Sequence, residues 1–222
     1  YVENYALLIP GMLFYLFMGL QAVHGRRPVW YCAAVLGVLI PLHFFSVSLV
    51  PSLLAIAFLT SSGWRKRIRN LAALLVTPVV SLICFKLIAF DVFFTLTTFG
   101  KTHLLPLFAE PDFYQPYRLF SSAHVLDFLN QQILAAPGAV VVLFLLRWRH
   151  WRRKPSDVFL LIAAAVPLLL AFLANPEIGA FRDWDVLSLP ALPLSLYAGY
   201  RLIREQGDRR MLTRAGVMVC GA

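Results

Sequence analysis

The sequence predicts an all-α fold: a polytopic transmembrane helical bundle of about seven spans plus the start of an eighth, with an external amphipathic helix. Composition comes first, since 60% of the 222 residues are hydrophobic and the mean hydropathy is +0.74. Charged residues make up 14%, where a soluble domain carries roughly a quarter. The apolar residues fall into separate runs near the ~20 residues that cross a bilayer, and Lys and Arg gather in short clusters between them. That clustering reads the net charge of +9 as a topology signal and excludes a nucleic-acid partner. Cys32, Cys84 and Cys220 lie at wide spacing in or beside apolar runs, which fits core residues and not a disulfide framework or metal knuckle.

Span one covers residues 5–23, and the turn His24-Gly25-Arg26-Arg27-Pro28 after it is of the kind retained in the cytoplasm. The N-terminus of the segment is therefore expected outside. Tyr1 to Asn4 carry no positive charge, so span one is a true span and not a cleavable signal. Residues 29–62 are bounded by basic clusters at both ends, which requires an even number of crossings. One helix of that length would measure about 50 Å, far beyond a ~30 Å hydrocarbon core, so a hairpin of short spans is expected at 30–44 and 48–61. Pro41, Ser46, Ser48 and Pro51 supply its break, with His43 near the outer end. Backbone that turns at membrane depth is tolerated where it lines a cavity.

Span four is expected at 71–94, span five at 132–146, span six at 158–174 and span seven at 189–202. An external segment, 95–131, precedes span five, and an external loop, 175–188, precedes span seven. With sides fixed by alternation, sixteen of the 20 Lys and Arg fall inside, and eight of the 11 acids fall outside. Met211 to Ala222 read as the opening of a further helix, and with Tyr1 in first place the sequence reads as a fragment of a longer chain. Residues 1–222 are treated as one membrane domain.

Chemistry is expected on the face opposite the arginine-rich loops. Ser121 opens a helix that places His124, Asp127 and Asn130 three apart, with Val125, Leu126, Phe128 and Leu129 as the apolar face. A histidine with a carboxylate one turn away is the minimal acid/base pair, because the carboxylate stabilises the imidazolium and fixes the tautomer. A wet interfacial helix accounts for the same pattern without chemistry. Arg182, Asp183 and Asp185 crowd the start of span seven around Trp184: Asp-x-Asp could chelate a divalent metal, and Arg182 could grip phosphate oxygens. A cap with an ion pair is the plainer reading. Lys101, His103 and Arg118 could bind an anionic headgroup or sugar, beside Tyr114 and Tyr117 as stacking platforms. Lys86, inside span four, either snorkels outward or holds an anion in a cavity. His43 is a further candidate at the hairpin. Zinc at His103 and His124 matches no known ligand spacing, and no cofactor is otherwise implied.

The basic inside turn, the short hairpin with His43 and Pro51, the long outside segment and the further spans resemble the later part of GT-C superfamily glycosyltransferases. Tyr117 to Asn130 and Arg182 to Asp185 look like segments of large bacterial membrane proteins of that general architecture. The resemblance covers most of the chain and implies a bacterial cytoplasmic-membrane enzyme. Its donor would be a polyprenyl-phosphate-linked sugar, transferred on the extracytoplasmic face. It also implies lipid-phosphate or acceptor binding by Arg118, His124, Asp127, Arg182, Asp183 and Asp185. The superfamily's usual catalytic carboxylate lies in the first external loop, and this chain has no such loop before span one. Either that loop lies upstream of Tyr1 or the analogy fails there.

The leading expectation is thus the carrier- or acceptor-binding part of an integral-membrane glycosyltransferase, in contact with membrane lipid. A non-catalytic subunit that docks a protein partner through its external segment is the alternative. A transporter is disfavoured by the lack of evenly spaced acids within the spans.

Overall fold

In a computed structural model the described residues are 5–91, 104–108, 117–145, 154–175 and 187–204. Among them the regular structure is helical, with no strand beyond one isolated bridge, Leu104 with Ala174. The helices are α1 (Tyr5–Val23), α2 (Val29–Leu42), α3 (Val50–Leu59), α4 (Trp64–Ala73), α5 (Val76–Leu87), α6 (Ser122–Ala135), α7 (Pro137–Leu145), α8 (Pro155–Leu173) and α9 (Ala191–Arg204). Two stretches are long and apolar enough to cross a membrane: Trp64–Leu87, which joins α4 and α5, and α8. The pair α6–α7 makes a third if it is one broken span. The other apolar helices are shorter. Residues 1–92 and 153–167 form one compact unit, and 93–152 and 168–222 form a second.

The first unit is organised around α2 and α5. The face that α5 buries is hydroxylic: Thr77 and Ser81 point inward with Phe85, while Leu75, Val79, Leu82 and Ile83 are exposed. An exposed row of this kind needs an apolar solvent, and small or hydroxylic residues between helices are how membrane helices approach closely. Thr77 Oγ1 donates to the Ala33 carbonyl at 3.0 Å, and Ser81 Oγ to the Gly37 carbonyl at 2.9 Å. The second bond has a specific cause. Pro41 has no N–H to return to the Gly37 carbonyl one turn back, so that oxygen is left for Ser81. Gly37 is small for the same contact: a Cβ there would stand 2.7 Å from Val80 Cβ and 2.9 Å from the Thr77 carbonyl oxygen.

The helix pair expected at 29–62 forms, with a break about two residues wider at each end than the sequence places it. α2 runs through Pro41, His43 is extended, and Phe44–Leu49 make a 3-10 turn before α3. Pro51 opens α3, where a missing N–H costs nothing. The fully buried Tyr15 of α1 fastens the turn, its hydroxyl 2.7 Å from Ser52 Oγ and donating to the Leu49 carbonyl at 3.3 Å. Phe159 of α8 lies against Gly19 and Tyr15.

Two boundaries differ from expectation. Span four begins at Trp64 and not at residue 71, so the basic cluster Arg65, Lys66, Arg67 and Arg69 is helical, and the helix stops at Leu87. Leu74 and Leu75 form a turn within it, because Pro78 cannot donate to the Leu74 carbonyl. Span five does not run straight from Gln132. Ala136, which precedes Pro137, leaves the helical region, and α6 and α7 meet at 103°. Gln132 therefore belongs to α6.

Replacing Ser81 with Ala should lower stability by about 1 kcal/mol. In a Pro41→Ala background, which restores an N–H for Gly37, the same change should cost clearly less. Thermal unfolding of the four proteins in one detergent tests this, and equal costs in both backgrounds would refute the assignment.

Candidate functional site

The polar cluster of the second unit is built on α6. Ser121 caps this helix, its Oγ accepting the His124 amide at 3.3 Å. His124 is 2% exposed and shares a buried stripe with Phe128 and Gln132, one and two turns on. The expected faces are therefore corrected. Each three-residue step falls about 60° short of a full turn, so the row His124, Asp127, Asn130 rotates away from the core. His124 is buried, Asp127 half-buried and Asn130 exposed. Phe128 joins the histidine side, while Leu126, Leu129, Ile133 and Leu134 are exposed, the last at 76%.

His124 Nε2 lies 2.8 Å from the carbonyl oxygen of Phe172. A carbonyl only accepts, so Nε2 carries the proton. Phe172 is in the last turn of α8, where carbonyls lack partners within the helix, and an imidazole N–H from another element supplies one. The neighbouring Leu173 carbonyl is taken by the Leu105 amide at 2.9 Å. Tyr117, Phe128 and Phe172 surround the imidazole, with ring centroids 5.6, 6.5 and 5.0 Å away. Burial lowers the His124 pKa, opposed by the Phe172 hydrogen bond and by the Asp127 charge.

Asp127 Oδ2 accepts the Tyr117 hydroxyl. That bond to a carboxylate, helped by burial, pushes the Tyr117 pKa up to about 12, so the phenol stays protonated and the carboxylate is held in one orientation. Gln132 closes the inner end of the stripe: its Nε2 donates to the Leu187 carbonyl at 2.7 Å, and its buried Oε1 has no hydrogen-bond partner among the described residues.

The structure thus brings His124 and Asp127 together through Tyr117 and leaves the remaining described candidates elsewhere. Arg118 follows Tyr117 and is half-buried. His43 belongs to the first unit, where its Nδ1 accepts the Phe45 amide at 3.2 Å and caps the 3-10 turn. Lys86 is exposed in the last turn of α5 and not deep inside an apolar run, a position that suits a cation because helix carbonyls point that way. Lys101, His103, Arg182, Asp183 and Asp185 lie outside the described residues, as do the rest of 95–103, 109–116 and 176–186 in the two external segments. Among the described residues no three of His, Cys, Asp and Glu gather as metal ligands. The sequence reading missed the bond from Tyr117 to Asp127 and the role of the Phe172 carbonyl. Nothing in the pattern marks a backbone acceptor 48 residues away. Comparison with family models, with characterised proteins and with solved structures gives no match.

A neutral His124 is favoured by folding, so the native protein binds fewer protons than the unfolded chain near the ordinary imidazole pKa of 6.5. The resulting stability is complete above that pH and is lost as pH falls through the lowered native value. Melting temperature should therefore drop on acidification. His124→Gln, which keeps a donor for Phe172, should flatten the profile, whereas His124→Leu should cost about 1–3 kcal/mol at neutral pH by leaving that carbonyl unpaired.

Proposed function

We propose that this chain is the carrier- or acceptor-binding part of a membrane-embedded glycosyltransferase, acting on the extracytoplasmic face on a polyprenyl-phosphate-linked sugar. The observation that carries the reading is Asp127. It is a half-buried carboxylate held by Tyr117 in the first half of α6, on the side of the membrane that the Lys and Arg bias makes external. In this reading the chain crosses the membrane about seven times, with short or broken helices completing the crossings that the long ones begin.

The chemistry follows from what each group can do. In glycosyl transfer the acceptor hydroxyl loses its proton as its oxygen bonds to the anomeric carbon, while the bond from that carbon to the carrier phosphate breaks and the phosphate leaves with the electron pair; a fixed carboxylate such as Asp127 is suited to receive the proton. His124 is a positioning residue: its N–H is committed to Phe172, and its lowered basicity makes it a poor proton store near neutral pH. Arg118 and Arg182 would hold the carrier phosphate, and Asp183 and Asp185 are proposed as the acids beside it, with a divalent metal at that pair if one is used.

A second reading, a non-catalytic subunit that docks a protein partner through its external segment, is favoured by one observation. His124, Tyr117 and Gln132 each make a bond that fastens one segment to another, which a scaffold would need as much as an enzyme.

Alanine or asparagine substitution of Asp127, and alanine at Arg182, Asp183 and Asp185, in the full-length protein separates the two. The transferase reading expects glycosylated product to fall by about 100-fold or more for Asp127→Asn, with the protein present in the membrane at its normal level. Unchanged product from all four variants would sink it and leave the scaffold.

A further inference from the structure

The turn between α1 and α2 and the junction of α3 with α4 enclose a pocket of about 510 Å³ within the first unit. Arg26, Arg27, Lys66 and Arg69 line it, together with Trp30 and Asn70. Asn70 makes a fixed floor: it is 6% exposed, and its Nδ2 donates to Thr60 Oγ1 at 2.9 Å and to Ser61 Oγ at 3.3 Å. Local structure positions the arginines of the turn. Gly25 takes a positive φ of 73° to turn the chain out of α1, and the Arg27 guanidinium lies 5.8 Å from the centre of the Tyr31 ring, which in turn stacks on Trp30 at 3.8 Å.

Charge is what makes this pocket unusual. No carboxylate lines it among the described residues, and none of its four cations has an ion-pair partner there. The first turns of α2 and α4 contain no acid. α4 instead opens with Arg65, Lys66, Arg67 and Arg69, at the end of the helix where amide N–H groups already make the potential positive. Cations at neighbouring helical positions repel one another, and this arrangement adds the dipole to that repulsion. A bound anion removes both penalties, and arginine presents the planar pair of donors that suits phosphate oxygens.

We propose that this pocket binds the phosphate of an anionic phospholipid, from the leaflet that the Lys and Arg bias assigns to the cytoplasm. The site goes beyond the proposed glycosyl transfer and does not depend on it. A lipid is favoured over a soluble anion because Trp30 lines the pocket and further exposed apolar side chains alternate with the cations along α4. Trp30, Trp64 and Ile68 are exposed beside the cations, at the level where a long apolar helix begins. Indole rings at that level and basic recesses between spans are the two features by which membrane proteins hold acidic headgroups.

The test uses the full chain in a neutral detergent, titrated with short-chain phosphatidylglycerol, short-chain phosphatidylcholine or inorganic phosphate. Binding is read by tryptophan fluorescence and by the shift in melting temperature. Saturable binding of phosphatidylglycerol is expected, with phosphatidylcholine at least about tenfold weaker. Arg26→Gln combined with Arg69→Gln should weaken phosphatidylglycerol by about tenfold or more, while Arg65→Gln combined with Arg67→Gln, which removes the same charge from residues that do not line the pocket, should leave it within about twofold. If the double variant fails to fold, Arg69→Gln alone should give a several-fold loss. Equal weakening by both pairs would mean diffuse attraction and would overturn the site. Inorganic phosphate binding as tightly as phosphatidylglycerol would overturn the lipid assignment.

Discussion

The hydrogen bond from Ser81 to the Gly37 carbonyl concentrates the constraint under which this protein is built. A helix surrounded by lipid must satisfy its own backbone, and each proline within it leaves one carbonyl without its normal donor. Pro41 creates such an orphan at the centre of the closest helix pairing in the first unit. The solution is a hydroxyl on the neighbouring helix and a glycine that lets that helix approach. Thr77 also donates to the Ala33 carbonyl one turn away, and the Tyr15 hydroxyl donates to the Leu49 carbonyl beside Ser52 at the hairpin turn, though no proline removes the donor of either carbonyl. The hydroxyls of α5 face the protein and most of its aliphatic residues face out, the reverse of a soluble helix.

The same principle explains the second unit and shapes how its chemistry should be read. The last carbonyls of α8 need donors, and they receive them from His124 and from the Leu105 amide. A histidine recruited in this way is a fastening, and its low basicity follows from the burial that fastening demands. The acid three residues on is not enclosed to the same degree. Tyr117 orients it without neutralising it, and that difference within a single helix turn separates the buried residue that holds the frame from a half-buried, oriented carboxylate.

Prolines also set where helices end. Pro137 forces Ala136 out of the helix and turns what reads as one apolar run into two helices at a steep angle, while Pro78 is accommodated by a short turn within a longer helix. Both prolines sit in the first turn of the helix that follows, where the donor they lack would have had no partner, so an interruption is cheap at each. Charge then accumulates at the helix ends. The cationic cluster that serves as a topology signal in the sequence also becomes the wall of a recess.

The sequence by itself determined the helical class, the apolar runs, the hairpin at 29–62 and the bounds of α1, α8 and α9 to within a few residues, because length, hydropathy and charge between runs are local properties of the chain. It also singled out His124 and Asp127, because their types and spacing are visible without a fold. Only the tertiary structure decided which of them is buried. The turn from α6 into α7 set the helix's inward stripe as His124, Phe128 and Gln132, where the pattern of polar residues pointed to a different face. It alone matched Pro41 with Ser81 and His124 with Phe172, since a backbone carbonyl carries no residue-type signature and its need for a donor depends on what lies one turn away and what another helix brings near.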